Sequence, residues 1–358
     1  MPSLKEIKGR INSISSTLAI TSAMKMVAAA KLQKAQMAIQ NMLPYERRLH
    51  SMLIDLMGAM NISAAASEDG SVRGSGSAER GFDQSGDRLS LSNRHDLAGM
   101  DGAYSLMAQR EVRKVAIVAF ASNSSLCGAF NSNVIREATA VINEYRASGL
   151  GDADITVYSV GRKMAEAMKK LGFPSPADFT KMSDSPSYDA ASALAQELFD
   201  GFVSGRFDKV ELVYNHYKST SSQPTIRQTY LPLSLADATA DIQVGKITDS
   251  ASESDTNRGA ETVGAPVVRQ GSPTTEDLIV EPSKEALMAI LLPKVIRLRI
   301  FTTLLDSAAA EHAARTVAMQ LATDNGNDLL QELTLEYNKG RQQKITSEIL
   351  DLVGGSMQ

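Results

Sequence analysis

Hydroxyl, amide and thiol side chains crowd one turn of this sequence, Ser122-Asn123-Ser124-Ser125-Leu126-Cys127-Gly128-Ala129-Phe130-Asn131. It follows a β-branched run and precedes a helical pattern, the position at which a doubly wound fold would hold a phosphate. Yet it has a single glycine, no G-x-G-x-x-G spacing and no Gly-Lys-Ser/Thr. Cys127 has no histidine near it in sequence and nothing that would lower its pKa, so it reads as a packing thiol rather than a nucleophile. Gly161-Arg162-Lys163 could greet a phosphate at a helix start, but a solvated first turn is the simpler reading. His50, His95, His216 and His312 are too scattered for a metal cluster; His216 and His312 read as surface or seam residues. The residues therefore assign no catalytic, cofactor-binding or metal site.

Composition narrows the classes further. A chain of 358 residues allows two or three domains at roughly 100–200 residues each. A net charge of -4 argues against a globally basic nucleic-acid binder. One cysteine excludes a disulfide framework, a four-cysteine zinc site and an internal dithiol switch. No apolar run approaches the ~20 residues that cross a bilayer; residues 286–292 are cut short by Pro293 and Lys294. The N-terminus, Met1-Pro2-Ser3-Leu4-Lys5, lacks a signal-peptide core. The expectation is a bacterial cytoplasmic protein whose membrane association comes through a partner.

Five segments are expected to position whatever the chain does. Residues 1–62 read as one coiled-coil helix. Leu4, Ile7, Ile11, Ile14 and Leu18 step by three and four, and the register continues through Ala28, Leu32, Ala35, Ile39, Met42, Leu49, Leu53, Leu56 and Met60. Ser3 with Glu6 opens it as a capping box, and Pro44 should kink it or remove a hydrogen bond. Residues 63–111, rich in Gly, Ser, Asp and Arg, read as a flexible polar insertion with a short helix at 103–108. Residues 112–235 read as an α/β domain, with strands at 112–120, 155–160, 209–214 and 226–231 and helices at 132–148, 163–171 and 188–202. Residues 236–276 form a second, acidic insertion. Residues 277–358 supply an edge strand at 278–281, a short helix at 283–292, and a long helix that starts at Pro293. Its expected stripe is Leu298, Phe301, Leu305, Ala308, Met319, Ala322, Leu329 and Leu333. The fold class follows: a long antiparallel coiled coil of the N- and C-terminal helices, with an inserted Rossmann-like α/β domain.

The N-terminal rod carries eight Lys and Arg against Glu6, Glu46 and Asp55. That is either a solvated face or a basic rod set against an acidic protein partner. Several blocks are more specific. Ile20-Thr-Ser-Ala-Met-Lys-Met-Val-Ala-Ala-Ala-Lys-Leu32, Leu126-Cys-Gly-Ala-Phe-Asn131, Ala314-Arg-Thr-Val-Ala-Met319 with Ala322-Thr-Asp-Asn325, and Tyr337-Asn-Lys-Gly-Arg-Gln-Gln-Lys-Ile-Thr-Ser-Glu-Ile349 resemble the gamma subunit of F-type ATP synthases. They stand in the family's order and span the chain outside the two insertions.

The resemblance implies a rotor with no catalytic site and no cofactor. Its partners would be the alpha and beta subunits of the catalytic head, the epsilon subunit and the c-ring, at the cytoplasmic face of the bacterial membrane. Met24 and Lys25 match the family position facing the acidic loop of beta. Arg341 and Gln342 match the pair that meets a catch loop on beta, with Thr346 and Glu348 in the same block. Arg315 matches an Arg proposed to pair in the upper region. Asn123-Ser124-Ser125 replaces the family's Asp-Arg-Gly, and Cys127 alone supplies no regulatory dithiol. Against this stand a stand-alone α/β enzyme with a coiled-coil arm and a coiled-coil scaffold. The first lacks a phosphate loop and a metal cluster, and the second leaves the motif blocks unexplained.

Overall fold

The structure, a computed structural model, describes residues 3–59, 106, 110–233 and 284–356. The two expected insertions, the helix at 103–108 and the strand at 278–281 lie outside the described residues, apart from Leu106, Arg110 and Glu111. Leu106 is fully buried in the core, and its carbonyl accepts from the Leu233 amide at 2.9 Å.

Helix α1, Leu4–Ala59, passes straight through Pro44. Ser3 caps it, its hydroxyl accepting from the Glu6 amide at 3.3 Å. The α/β domain follows as β1 Val115–Phe120, α2 Phe130–Ala147, β2 Ile155–Val160, α3 Arg162–Lys170, α4 Thr180–Asp184, α5 Tyr188–Val203, β3 Lys209–Asn215 and β4 Thr225–Leu231. Strand order is β2-β1-β3-β4, with β4 antiparallel and the rest parallel. Alternate residues of β1 face opposite layers. Val115, Ile117 and Ala119 pack under α2 and α3. Ala116, Val118 and Phe120 join a core that contains Leu194, Leu198 and Phe202 of α5, the base of α1, and the last helix.

That helix, α6, runs unbroken from Lys284 to Ser356. The expected break at Pro293 does not occur. Proline removes one backbone hydrogen bond, but Met288, Leu291 and Leu292 before it and Val295 and Ile296 after it are all buried in one core. Packing on both sides holds the axis through the defect. At 1.5 Å per residue the two rods are about 84 and 110 Å long.

The rods are antiparallel and keep a constant register. Thr323 donates to Thr21 at 3.1 Å. A Cβ on Gly326 would lie 2.7 Å from Leu18 Cδ2, and one on Gly340 would lie 3.2 Å from Leu4 Cδ2. The seam above Met319 departs from the expected stripe. Ala322 and Leu329 point to solvent, and Thr323, Gly326, Leu330, Leu333, Tyr337 and Gly340 form the half-buried row facing α1. A 3.5-residue repeat from Met319 passes midway between Ala322 and Thr323 and between Leu329 and Leu330; the seam takes the second of each pair and meets the expected stripe again at Leu333.

Candidate functional site

In an open α/β sheet of order β2-β1-β3-β4 a ligand would sit at the switch point, outside the carboxyl ends of β1 and β3. There Cys127 and Phe130, which follow β1, pack on Ala310 of α6, with Tyr217, which follows β3, against them. At the neighbouring ends of β1 and β2, α6 covers the sheet as well. Leu304, Ser307, Ala308 and Glu311 press against Phe120, Ala121, Val160 and Ser183, leaving about 10 Å³. That space holds one water, whereas ligand pockets run to hundreds of Å³. The polar side chains of the turn are already engaged. Asn131 Oδ1 accepts from the Ser122 backbone amide at 3.0 Å, Asn123 Oδ1 from the Arg162 backbone amide at 2.8 Å, and Asn123 Nδ2 donates to the Thr180 carbonyl at 2.7 Å. Cys127 is buried, as a packing thiol should be. Among the described residues, no group of His, Cys, Asp and Glu could hold a metal ion.

Arg315 belongs to this junction. Its guanidinium pairs with Glu311 at 2.9 Å, one turn earlier, and donates to Ser124 Oγ at 2.7 Å. The side chain is 12% exposed. Burial holds the Glu311 carboxyl above its ordinary value despite Arg315 and Lys31. Burial, followed by the charges of Arg315 and Lys31, presses the His312 imidazole down to about 4. Arg315 thus ties the β1–α2 turn to α6, with its guanidinium turned toward its own chain. Ser124 and Glu311 were missed from sequence, although the four-residue spacing of Glu311 and Arg315 is the usual signature of a helical ion pair.

Met24 and Lys25 are half-buried on α1, level with Met319 and Gln320. Beside them Ile20, Met26 and Val27 stand exposed, at 60%, 65% and 58%. Arg341, Gln342, Thr346 and Glu348 lie elsewhere, about 30–40 Å farther along the rod. They occupy the stretch of α6 that outruns α1: Leu4 packs on Gly340, and every described side chain from Arg341 to Leu350 is exposed. Thr346 Oγ1 donates to the Gln342 carbonyl at 2.9 Å, and Lys344 lies 3.7 Å from Glu348. Among the described residues, Arg341's guanidinium and Gln342's amide meet no side-chain partner. Ile345, Ile349 and Leu352 continue the helical spacing past Gly340 with no α1 residue left to cover them; Leu352 is 75% exposed. These apolar residues were also missed, because the register that carries them past the end of α1 emerged only from the structure. An uncovered apolar stripe of this kind marks a contact surface.

A slender coiled coil seated on an α/β domain, with one of its own helices packed over the carboxyl ends of the strands and an exposed amphipathic tip, defines the class: a long-rod α/β protein. A family model described as ATP synthase matches residues 3–357. The ATP synthase gamma chain of Phocaeicola vulgatus is 47% identical over 357 residues, covering 100% of both chains. That of Bacteroides thetaiotaomicron is 45% identical over 358 residues, again covering 100% of both. The chain belongs to the ATP synthase gamma chain family. Among solved structures, a chain of the Euglena gracilis mitochondrial ATP synthase, in an assembly titled OSCP/F1/c-ring, shares the fold. Its TM-score is 0.52 at 18% identity, covering 99% of this chain and 93% of that one. No described helix is long and apolar enough to cross a membrane.

Proposed function

We propose that this chain is the central-stalk rotor of a proton-translocating F-type ATP synthase, coupling rotation of a c-ring to conformational change at catalytic sites on beta subunits. The observation that carries the proposal is the uncovered end of α6. From Arg341 to Leu350 every side chain is exposed among the described residues, and the stretch offers cationic, amide and apolar groups, as suits an axle end seated in a sleeve of other subunits. We read the chain as a non-catalytic subunit, a reading supported by the packing of Leu304, Ser307, Ala308 and Glu311 of α6 over the sheet. The α/β domain is the foot, bound to epsilon and the c-ring, which holds the chain peripherally on the cytoplasmic face of the membrane.

Coupling requires that the rod be asymmetric. Each beta subunit exchanges between conformers, and a contact shifts that equilibrium only if it binds one conformer better than another. One rod face carries Met24 and Lys25 beside exposed Ile20, Met26 and Val27; the tip is a single helix with Arg341, Gln342, Thr346 and Glu348. Turning such a body presents a different surface to each beta in succession.

Co-expression tests the reading. The full chain should purify in one complex with alpha and beta, and by itself should hydrolyse no ATP. An isolated chain with ATPase activity, or one never found with alpha and beta, would overturn it. Within the complex, Arg341→Ala should lower coupled ATP synthesis by more than it lowers assembly. Truncating one side of a desolvated charged contact costs about 2–5 kcal/mol. Wild-type synthesis at normal complex abundance would remove Arg341 from the contact.

A further inference from the structure

The hairpin between β3 and β4 makes a contact that the rotor reading does not use. Its first two residues, His216 and Tyr217, reach out of the α/β domain and touch both helices of the coiled coil. His216 Nδ1 lies 2.6 Å from Asp306 Oδ2 on α6, and the Tyr217 amide donates to Asp306 Oδ1 at 2.9 Å. One carboxylate thus holds two successive residues. On the other side, Gln36 of α1 donates its side-chain amide to the Tyr217 hydroxyl at 2.7 Å. Tyr217 packs against a cluster of Leu32 of α1 with Ala309 and Ala313 of α6, which Ala35 and Ile39 of α1 also flank. The hairpin cannot easily swing away, because the His216 amide donates to the Pro224 carbonyl at 2.8 Å across its base. Three bodies therefore meet at one dipeptide: the sheet, α1 and α6.

We propose that His216 and Tyr217 form a latch fixing the α/β domain to both helices of the coiled coil, closed when the His216 imidazole is charged against Asp306 and loosened when it is neutral. The charged groups facing His216 are few. Asp306 comes from α6, Lys218 from the hairpin itself opposes the charge, and from α1 it is the neutral Gln36 that bonds the dipeptide. Both members of the pair are largely sheltered, at 19% and 18% exposure, so solvent screens them less than a surface pair. The hydrogen bond that His216 donates to Asp306, offset by burial and Lys218, holds the imidazole above its ordinary 6.5. A raised imidazole value contributes stability that is complete below the unfolded value and lost as pH rises through the folded one. The latch is thus closed in mildly acidic solution and released toward alkaline pH. The consequence for torque rests on the rotor reading: a closed latch makes foot and axle turn as one body, an open one lets α1 lag. The latch itself does not rest on that reading.

Amide hydrogen exchange on the full-length chain tests it without rotation. Protection, corrected for the intrinsic rate, should be followed for the 216–224 hairpin and for α1 near Gln36 between pH 5.5 and 9. In the native chain it should fall roughly tenfold across that range, in line with a charged hydrogen bond lost. Asp306→Asn should show the low protection at every pH. His216→Lys supplies a charge that does not titrate in this window, so it should keep the protection and lose the pH dependence. Native protection that is flat with pH, or a His216→Lys variant as exposed as Asp306→Asn, overturns the latch. His216→Gln serves as the neutral variant should Asp306→Asn fail to fold; it should match native protein at pH 9, and native-like protection at pH 5.5 would equally overturn it. Failure of the rotor reading would register instead as absence of a complex with alpha and beta, leaving these exchange rates unchanged.

Discussion

Replacing Arg315 with alanine should destabilise the free chain, before any partner is present. The substitution deletes the guanidinium 2.9 Å from Glu311 and the bond to Ser124. It leaves a carboxylate on a residue 7% exposed, with Lys31 as a remaining cation and Asp184 as an added repulsion. Removing one member of a buried pair costs about 3–5 kcal/mol, because the other charge stays desolvated. The cavity beside Glu311 admits one water, which places the cost near the lower bound, about 3 kcal/mol. At about 2–4 °C per kcal/mol for a chain of this order of size, the melting temperature should fall by roughly 6–12 °C. The sign of the pH dependence follows from burial. The Glu311 carboxyl is held above its ordinary 4.5, so the fold favours its protonated form. Its favourable contribution is present at low pH and lost as pH rises through the folded value. Without Arg315 that loss is larger, so the deficit should shrink at pH 5 and widen at pH 7.5. Urea unfolding of native, Arg315→Ala, and Arg315→Ala with Glu311→Gln chains at both pH values reads this directly. The double variant should recover much of the loss, since its buried group is neutral. If Arg315→Ala unfolds within about 0.5 kcal/mol of native at both pH values, the range of an ordinary surface change, the intrachain tie is wrong. Arg315 would then be better placed as a partner contact.

Other expectations follow from close approaches and from the core. Gly161 has φ +95, and a Cβ there would lie 2.0 Å from the Ala121 carbonyl oxygen; Gly161→Ala should abolish soluble folded protein, as judged by yield and circular dichroism. Gly205→Ala, at φ +73 with nothing within 4 Å, is its control and should lose only about 1–2 kcal/mol in urea unfolding. Leu53 of α1 is buried in the core shared with the sheet and α6; Leu53→Ala should cost about 2–5 kcal/mol on the same measurement, and a loss below 1 kcal/mol would mean that the rod base is not anchored there.

The sequence was most readable where one periodicity ran long. The 56-residue α1 and the strands of the α/β domain fell within a few residues of their expected bounds, because unbroken heptads and β-branched runs leave little choice of partner face. Pro293 misled for a local reason. A proline signals a helix start by its own chemistry, whereas here buried neighbours on both sides outweigh the missing bond. The five-residue α4 carried too few residues to show a period. The tertiary contacts of Arg315, His216 and Tyr217 were hidden because their partners lie far off in sequence: Ser124 is 191 residues from Arg315, and Asp306 is 90 from His216. No spacing rule spans such distances. The tip was legible in outline, since Arg341, Gln342, Thr346 and Glu348 stand in one of the blocks that resemble the family. Its bareness emerged only from the register, which ends α1 at Gly340.

The central claim is rotation, and a single molecule can report it. The full chain would be assembled with alpha and beta subunits, the head fixed to a surface, and a bead attached to the exposed helix α3 of the α/β domain. On addition of ATP the account predicts unidirectional stepping of the bead through full turns, at a rate matching hydrolysis. A bead that stays at one angle while the same complexes hydrolyse ATP at full speed would contradict it.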